Sequence, residues 1–192
     1  MNRKALFILL GVSVFSPFAS AIDCYEESRS YLSQGDDYFD LKHPATFSRT
    51  EKKAVKSLYE SINGEWEGTA VFTDCRGAQR ALREKNVEFT VKAEIGKGSR
   101  EIIRFRLSKK SDGTSRREII DIFNSDTMFD FKQRGSTYRT EEKLYLAMGK
   151  NRVSLIENII SLEKSNDEIS LNITSYINGA FSHKQEISLA KI

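Results

Sequence analysis

The sequence predicts a mainly β protein: an antiparallel up-and-down barrel of about eight to nine strands, preceded by an N-terminal helical segment. From Trp66 onward, apolar and polar residues alternate with the period of two that is typical of strands. Turn signals such as Asn178-Gly179 separate the alternating runs, and a stripe of apolar residues at helical spacing follows Ser48. Hairpins alone do not distinguish a closed barrel from a two-sheet sandwich, so the sandwich remains an alternative.

The start of the chain has the order of segments that is typical of a signal peptide. Arg3 and Lys4 form a basic start, an apolar run follows, and Ala19-Ser20-Ala21 supplies small residues at a cleavage site. The apolar run is too short to span a bilayer, so we expect a periplasmic or secreted protein with no transmembrane segment in the mature chain. The alternative is a buried N-terminal core helix. The predicted units are a signal peptide at 1–21, a helical segment at 22–62 and a β-barrel domain at 63–192.

The chain has 2 cysteines, Cys24 and Cys75. In an exported protein, two cysteines favour a single disulfide between them. In the chain-entropy model, closing a loop of this length stabilises the fold by roughly 4 kcal/mol. We expect Cys75 to face outward on the first strand, where the N-terminal segment that carries Cys24 can reach it.

The charge balance argues against two classes of partner. The chain has 30 Lys and Arg against 27 Asp and Glu, and loss of the signal peptide with Arg3 and Lys4 brings the two nearly level. Such a balance gives no general attraction to nucleic acid or to an anionic membrane surface. An outer-membrane barrel is also disfavoured, because the faces opposite the apolar residues carry charges such as Glu88 and Lys92, which would lie in lipid.

The helical segment contains one strongly marked helix. Ser48 and Glu51 have the spacing of a capping box, and Asn63-Gly64 supplies a helix stop. We expect its apolar face to cover the sheet or one end of the barrel. The apolar face consists of Ala54, Val55, Leu58, Tyr59 and Ile62.

Nine runs after the helix read as strands. In the first, Trp66, Ala70 and Phe72 share one face. The residues that follow it, 77–85, are rich in helix formers and predict a short helix or a long loop. The remaining strands are expected at 87–95, 103–107, 117–123, 129–131, 138–148, 153–162, 169–177 and 181–189.

The helix, the motif Gly64-Glu65-Trp66 and the strand meander together resemble the lipocalin-like, or calycin, barrels. The resemblance implies that Trp66 plugs the closed end of the barrel and that Gly64 lets the backbone turn tightly beneath it. It also implies that residues 77–85 overhang a ligand mouth. The sequence departs from the family pattern in lacking a C-terminal helix and the late arginine that packs on the tryptophan, for which Lys184 and Lys191 are the candidates.

The leading function predicted for such a barrel is non-catalytic carriage of a small apolar or amphipathic ligand. A barrel of about eight strands can hold one small ligand or be filled by its own side chains. The bulky inward residues favour a filled interior, and a ligand cavity is the equal alternative. The residues expected to contact a ligand are Phe89, Phe105, Phe129, Phe131, Leu144 and Phe181.

A basic run suggests an alternative function. Residues 97–117 contain eight basic and two acidic side chains, which predicts an interaction or inhibitor protein that binds an acidic partner or a lipid head group. The competing interpretation is a solvated face balanced by carboxylates such as Glu88 and Glu94. The residues of this candidate patch are Arg100, Arg104, Arg106, Arg116 and Arg117.

No pattern in the sequence predicts an enzyme. The 2 histidines, His43 and His183, lie far apart, and no nucleophile, base and orienting group occur together around either. The acidic residues of 34–44 lack the order of a calcium loop. We therefore expect no catalytic residues, no metal and no cofactor.

Overall fold

The structure is a computed structural model that describes residues 46–76, 83–97, 102–111, 113–147 and 153–192. The predicted signal peptide, Cys24, His43 and Arg100 lie outside the described residues. Within them the chain forms one helix followed by nine strands. These are α1 (Arg49–Ile62), β1 (Gly64–Arg76), β2 (Arg83–Lys97), β3 (Ile103–Ser111), β4 (Thr114–Ile122), β5 (Met128–Arg134), β6 (Thr137–Ala147), β7 (Val153–Ser165), β8 (Glu168–Ile177) and β9 (Ala180–Lys191).

The nine strands form a single antiparallel sheet in the order β4-β3-β2-β1-β9-β8-β7-β6-β5. The first strand pairs with the last, and all other paired strands are consecutive in sequence. β4 and β5 are also consecutive, but they lie at the two ends of the sheet order. The mainly β, antiparallel fold class is therefore confirmed. Hydrogen bonds do not close the sheet, because β4 and β5 share no ladder among the described residues.

A side-chain contact shows how strongly the sheet curls. Lys109 on β3 donates to Gln185 on β9 at 3.0 Å, although β2 and β1 lie between these strands in the sheet. A flat sheet would hold β3 and β9 about 14 Å apart, at roughly 4.8 Å per strand. The contact therefore crosses the interior of a barrel-like sheet.

Helix α1 covers one end of this sheet, which we name the closed end. Its capping box is formed: Ser48 Oγ accepts from the Glu51 amide at 3.3 Å, and the Glu51 carboxylate accepts from the Ser48 amide at 2.7 Å. The buried face of the helix consists of Val55, Leu58 and Ile62. These residues join the same apolar core as the strands.

Trp66 lies beneath the helix as the resemblance implied. Its side chain is 1% exposed, and its indole Nε1 donates to the carbonyl of Ile62 at 2.8 Å. Gly64 has φ +128°, a conformation that L side chains rarely adopt. The ammonium of Lys191 lies 5.9 Å from the centre of the indole ring, so one candidate for the missing arginine does pack on the tryptophan.

Apolar side chains fill the closed end. Phe105 is fully buried, and the rings of Phe47 and Phe123 each pack edge-on against Phe131, with centroids 5.2 and 5.7 Å away. This half of the interior is a packed core. Its largest fully buried members besides Trp66 are Phe105, Phe123, Leu58, Ile62, Ile95, Ile103, Ile122, Met128, Leu162, Ile169 and Leu171.

Residues 123–127 carry the chain round the corner between β4 and β5. Phe123 is buried with φ +62°, an uncommon conformation for a bulky residue. The Glu142 carboxylate on β6 accepts from the Asn124 amide at 3.3 Å, and the Lys143 amide donates to the Thr127 carbonyl at 2.7 Å. Two hydrogen bonds therefore join the corner to β6.

Two local expectations can be compared with the backbone. The Asn178-Gly179 turn is confirmed, with φ +52° and +78° at its two residues. The expectation of a helix or loop at 77–85 is wrong for its last residues, because Arg83–Lys85 belong to β2 and pair with Asp74–Arg76. Backbone pairing outweighs the helix propensity of this stretch.

Candidate functional site

Polar side chains replace apolar ones on the core face of the sheet as it approaches the end opposite α1, which we name the mouth. Lys109 follows Ile103, Phe105 and Leu107 on the core face of β3. Glu118 precedes Ile120 and Ile122 on β4 in the same way, and His183 and Gln185 precede Ile187 and Leu189 on β9. We name Lys109, Glu118, His183 and Gln185 the mouth cluster.

Three of these residues are joined by contacts across the barrel. Lys109 forms an ion pair with Glu118 and donates to Gln185 Oε1 at 3.0 Å. The Gln185 amide in turn donates to Glu118 Oε1 at 3.0 Å. Because Lys109 is only 5% exposed, its ammonium is stabilised by contacts with Glu118 and Gln185 and not by water. The arrangement holds a desolvated cation and a carboxylate side by side.

His183 extends the cluster toward the mouth. Its ring stacks on Phe72 with centroids 5.2 Å apart, and its Nδ1 lies 3.1 Å from Ser182 Oγ. Burial lowers the pKa of His183, and the nearby Lys109 ammonium lowers it further, whereas Glu118 and Asp74 raise it. The net lowering favours the neutral imidazole, which offers one donor and one acceptor nitrogen.

Aromatic and hydroxyl groups border the cluster at the rim. The Lys109 ammonium lies 5.7 Å from the centre of the Phe89 ring. An open groove of about 660 Å³ runs from Phe89 over the β3–β4 hairpin. It is lined by Glu88, Phe89, Thr90, Lys110, Ser111, Gly113, Thr114 and Ser115. The described lining of the rim thus combines an apolar ring with hydroxyls, one lysine and one glutamate.

A second polar stretch continues round the core face. Ser175 Oγ donates to Asn158 Oδ1 at 2.7 Å, and Asn158 lies opposite Glu142 in the β6–β7 ladder. Burial raises the pKa of Glu142 to about 7, although the amides of Asn124 and Phe123 bond to its carboxylate and oppose the rise. This acid therefore titrates near neutral pH where the β4–β5 corner meets β6.

The residues predicted to contact a ligand do not converge on one site. Phe105 is fully buried in the core, Phe89 and Phe131 pack against the core while partly exposed, and Leu144 is 45% exposed. Phe89 is the one that borders the mouth cluster.

Two β-bulges carry the other two predicted ligand residues away from the core face. The β5–β6 register shifts between Met128 and Asp130, and Phe129 instead lies under the ammonium of Lys143 at 5.7 Å. A second shift, next to Tyr176, pairs that residue with Phe181, and their rings meet edge-on at 6.2 Å. A bulge adds one residue and so reverses the facing that strict alternation predicts.

The basic patch is divided between two faces, and two of its four described arginines are ion-paired. On the outer face Arg104 forms a two-pronged pair with Asp121, both contacts at 2.7 Å, and Arg106 meets Glu94 at 3.1 Å. Arg116 lies on the core face opposite Lys109, and Arg117 lies on the outer face opposite Ser108. Both are exposed. Carboxylates on neighbouring strands thus balance Arg104 and Arg106.

Sequence reasoning missed Lys109, Glu118 and Gln185 as a group. Alternation already assigned Lys109 the facing of Leu107, two residues earlier, so a charged residue on an apolar face was the available signal. Its meeting with Gln185, 76 residues later, depends on the curl of the sheet, which periodicity does not specify.

Two features are absent from the described residues: a cluster of metal-binding side chains and a membrane-spanning helix. In the part of the chain that the structure covers, no group of three or more His, Cys, Asp and Glu side chains could hold a metal ion. No helix in those same ranges is long and apolar enough to cross a membrane.

Comparisons with known proteins give a limited result. No family model matches the chain, and no curated protein matches it. The chain is similar in structure to a protein of unknown function from the DUF3598 family of Nostoc punctiforme, with a TM-score of 0.38 and 13% sequence identity. The match covers 70% of this chain and 49% of that one, so this chain spans about half the length of its structural neighbour.

Proposed function

We propose that this protein is a non-catalytic binding protein that holds a small amphipathic ligand at the mouth of its barrel. The observation that carries the proposal is the mouth cluster: a buried lysine, bonded across the interior to Glu118 and Gln185. Its polar groups would meet the head of the ligand, and the rings of Phe72 and Phe89 would meet its apolar part.

The energetics of the cluster support a role beyond stability. Replacing a buried ion pair with well-packed apolar residues is often neutral or stabilising, so such a pair is weak support for a purely structural purpose. The closed end of the same barrel is filled with apolar side chains such as Phe105 and Leu171. The equivalent core-facing position near the mouth is occupied by Lys109 and not by an apolar side chain.

The location of the packed core narrows the class of ligand. A wholly apolar cargo would need an open apolar interior, whereas Trp66, Phe105 and Phe123 are fully buried at the closed end. The mouth offers hydrogen-bonding groups beside aromatic faces, which suits a molecule with both a polar and an apolar part.

Family relationship and location belong to the same proposal. The plugging of the barrel by Trp66 and the position of Lys191 over its ring support a lipocalin-like relative. We further propose export to the periplasm or beyond, on the strength of residues 1–21, and a Cys24–Cys75 disulfide that fastens the N-terminal segment to β1.

Native mass spectrometry tests the proposal. The protein should be purified gently from the envelope or secreted fraction of its own cells, beside a matched variant, Lys109→Met/Glu118→Gln, that keeps side-chain volume but removes both charges. We expect the unaltered protein to retain a small mass that denaturation releases, and the variant to lose most of it.

Two results would contradict the proposal. One is a bare chain mass for the unaltered protein in every preparation. The other is equal retention by both proteins, since a ligand that ignores the loss of both charges is not held by the mouth cluster.

A further inference from the structure

Among the described residues, strand β4 ends the sheet with an edge that no other strand pairs. It forms a ladder with β3 on one side, and on its other side no backbone hydrogen bond is present among the described residues. Natural proteins usually protect such an edge, because its free amides and carbonyls are a template for another strand. An open edge of nine residues therefore needs an explanation.

The outer face of this edge strand carries an exposed apolar residue between opposite charges. Ile119 is 62% exposed, whereas its neighbour Ile120 is 9% exposed in the core. Arg117 lies two residues before Ile119 and Asp121 two residues after it, so all three share the outer face.

This pattern is complementary to itself. If a second copy of β4 lies antiparallel to the first with a two-fold axis at Ile119, the two isoleucines face each other. Arg117 of each copy then lies opposite Asp121 of the other, which gives two identical ion pairs around an apolar centre. Self-complementarity of this kind is what a two-fold interface requires.

We propose that two copies of this chain associate through their β4 edges, forming a continuous antiparallel sheet with Ile119 at the two-fold axis. Cross-strand contacts between apolar residues and between opposite charges favour this register. The ladder also supplies partners for the free backbone groups of the edge.

Two neighbouring registers of the same pairing are less favourable. Preserving the outer and core faces requires the axis to pass through a residue position. An axis at Glu118 sets two glutamates directly opposite, and an axis at Arg117 does the same with two arginines. Like charges directly opposite each other destabilise a strand pair.

The proposed pairing is compatible with the existing contacts. Asp121 would lie between its own Arg104, which contacts it twice at 2.7 Å, and Arg117 of the second copy. Glu118 keeps its bonds to Lys109 and Gln185 inside the barrel. Because one strand edge buries little surface, we expect a weak dimer whose population rises with concentration.

Sedimentation equilibrium over a concentration series tests the association. The purified protein should approach twice the monomer mass as concentration rises, and Ile119→Lys should remain monomeric. The matched control is Ile192→Lys, because Ile192 is 69% exposed and lies away from β4. This control should dimerise as the unaltered protein does.

A charge exchange tests the register. Arg117→Asp alone and Asp121→Lys alone should each be monomeric, because each makes the outer face of β4 carry charges of a single sign. An equimolar mixture of the two should form a heterodimer, since both ion pairs are then restored. Circular dichroism and thermal melting establish that both variants are folded.

Three outcomes would overturn the proposal. The unaltered protein could stay monomeric at all concentrations, in which case capture of an acidic extended peptide by β4 would identify a different occupant. Ile119→Lys could dimerise as strongly as the control. The mixture of folded charge variants could remain monomeric, which would exclude the axis at Ile119.

Discussion

The closed end and the mouth of the barrel differ in the side chains that occupy the core face of the sheet. At the closed end, α1 and Trp66 cover a core of aromatic and branched aliphatic side chains. At the mouth, the same core face carries Lys109, Glu118, Gln185 and His183. Apolar burial stabilises a fold without specifying a ligand, whereas a buried ion pair often adds little stability over well-packed apolar residues. On this difference rests our proposal that the closed end serves stability and the mouth serves ligand recognition.

Equivalent truncations at the two ends give the sharpest contrast in stability. We expect Phe105→Ala to lower the free energy of unfolding by about 3–5 kcal/mol, because it leaves a cavity in a fully packed region. Phe72→Ala, next to His183, should cause less than about half of that loss, because Phe72 is partly exposed. Urea unfolding followed by circular dichroism measures both; equal losses would contradict the division between the two ends.

Glu142 should make stability depend on pH. Because folding raises its pKa from 4.5 to about 7, the folded state holds this proton more tightly than the unfolded state. The contribution of Glu142 to the free energy of unfolding should therefore be greatest below pH 4.5 and should fall by about 3 kcal/mol as pH rises through 7.

The variant Glu142→Gln isolates this contribution. It keeps an oxygen acceptor for the Asn124 amide but has no charge, so it should melt at a higher temperature than the unaltered protein at pH 8. The two proteins should converge near pH 4. If the melting temperatures differ by the same amount at both pH values, the Glu142 carboxyl is not the cause.

Breaking one half of the mouth cluster should cost more than removing both charges. Lys109→Met alone leaves the Glu118 carboxylate without its cation, and we expect a loss of about 2 kcal/mol. Lys109→Met/Glu118→Gln should lose about 1 kcal/mol or less. A double variant that is less stable than the single one would indicate that the ion pair serves stability, contrary to the role assigned to the mouth.

The capping box of α1 should give the smallest effect. Ser48→Ala removes the acceptor for the Glu51 amide and should lower the free energy of unfolding by roughly 0.5–1 kcal/mol. Ser48→Asp, which also caps helices well, should restore most of the loss. Thermal melts of the three proteins, taken at equal concentration, give the comparison.

Local sequence signals predicted the elements of the fold. The capping box at Ser48, the period of two from Trp66 and the Asn178-Gly179 turn each correspond to an observed helix, strand or hairpin. These signals succeed because each depends on residues close together in the chain. The curl that joins Lys109 to Gln185 depends on the summed twist of several strands, which no local pattern contains.

The candidate site was predicted less well for two physical reasons. Bulges beside Met128 and Tyr176 turned Phe129 and Phe181 away from the core face, and alternation alone cannot locate an inserted residue. The basic patch was predicted as one surface, yet strand alternation places Arg116 on the core face and Arg104, Arg106 and Arg117 on the outer face. The informative signal was Lys109, which follows three apolar residues on the same face of β3 and therefore points into the barrel.

Hydrogen–deuterium exchange tests most directly the claim that the mouth recognises a ligand and the closed end stabilises the fold. The protein is measured as gently purified, with the ligand that we propose it retains, and again after stripping on a hydrophobic resin. We expect stripping to speed exchange in β3 and β4 around Lys109 and Glu118 and in β9 around Gln185, with no change in α1 or at Trp66. Changes concentrated at the closed end, or none anywhere despite loss of a bound mass, would contradict the account.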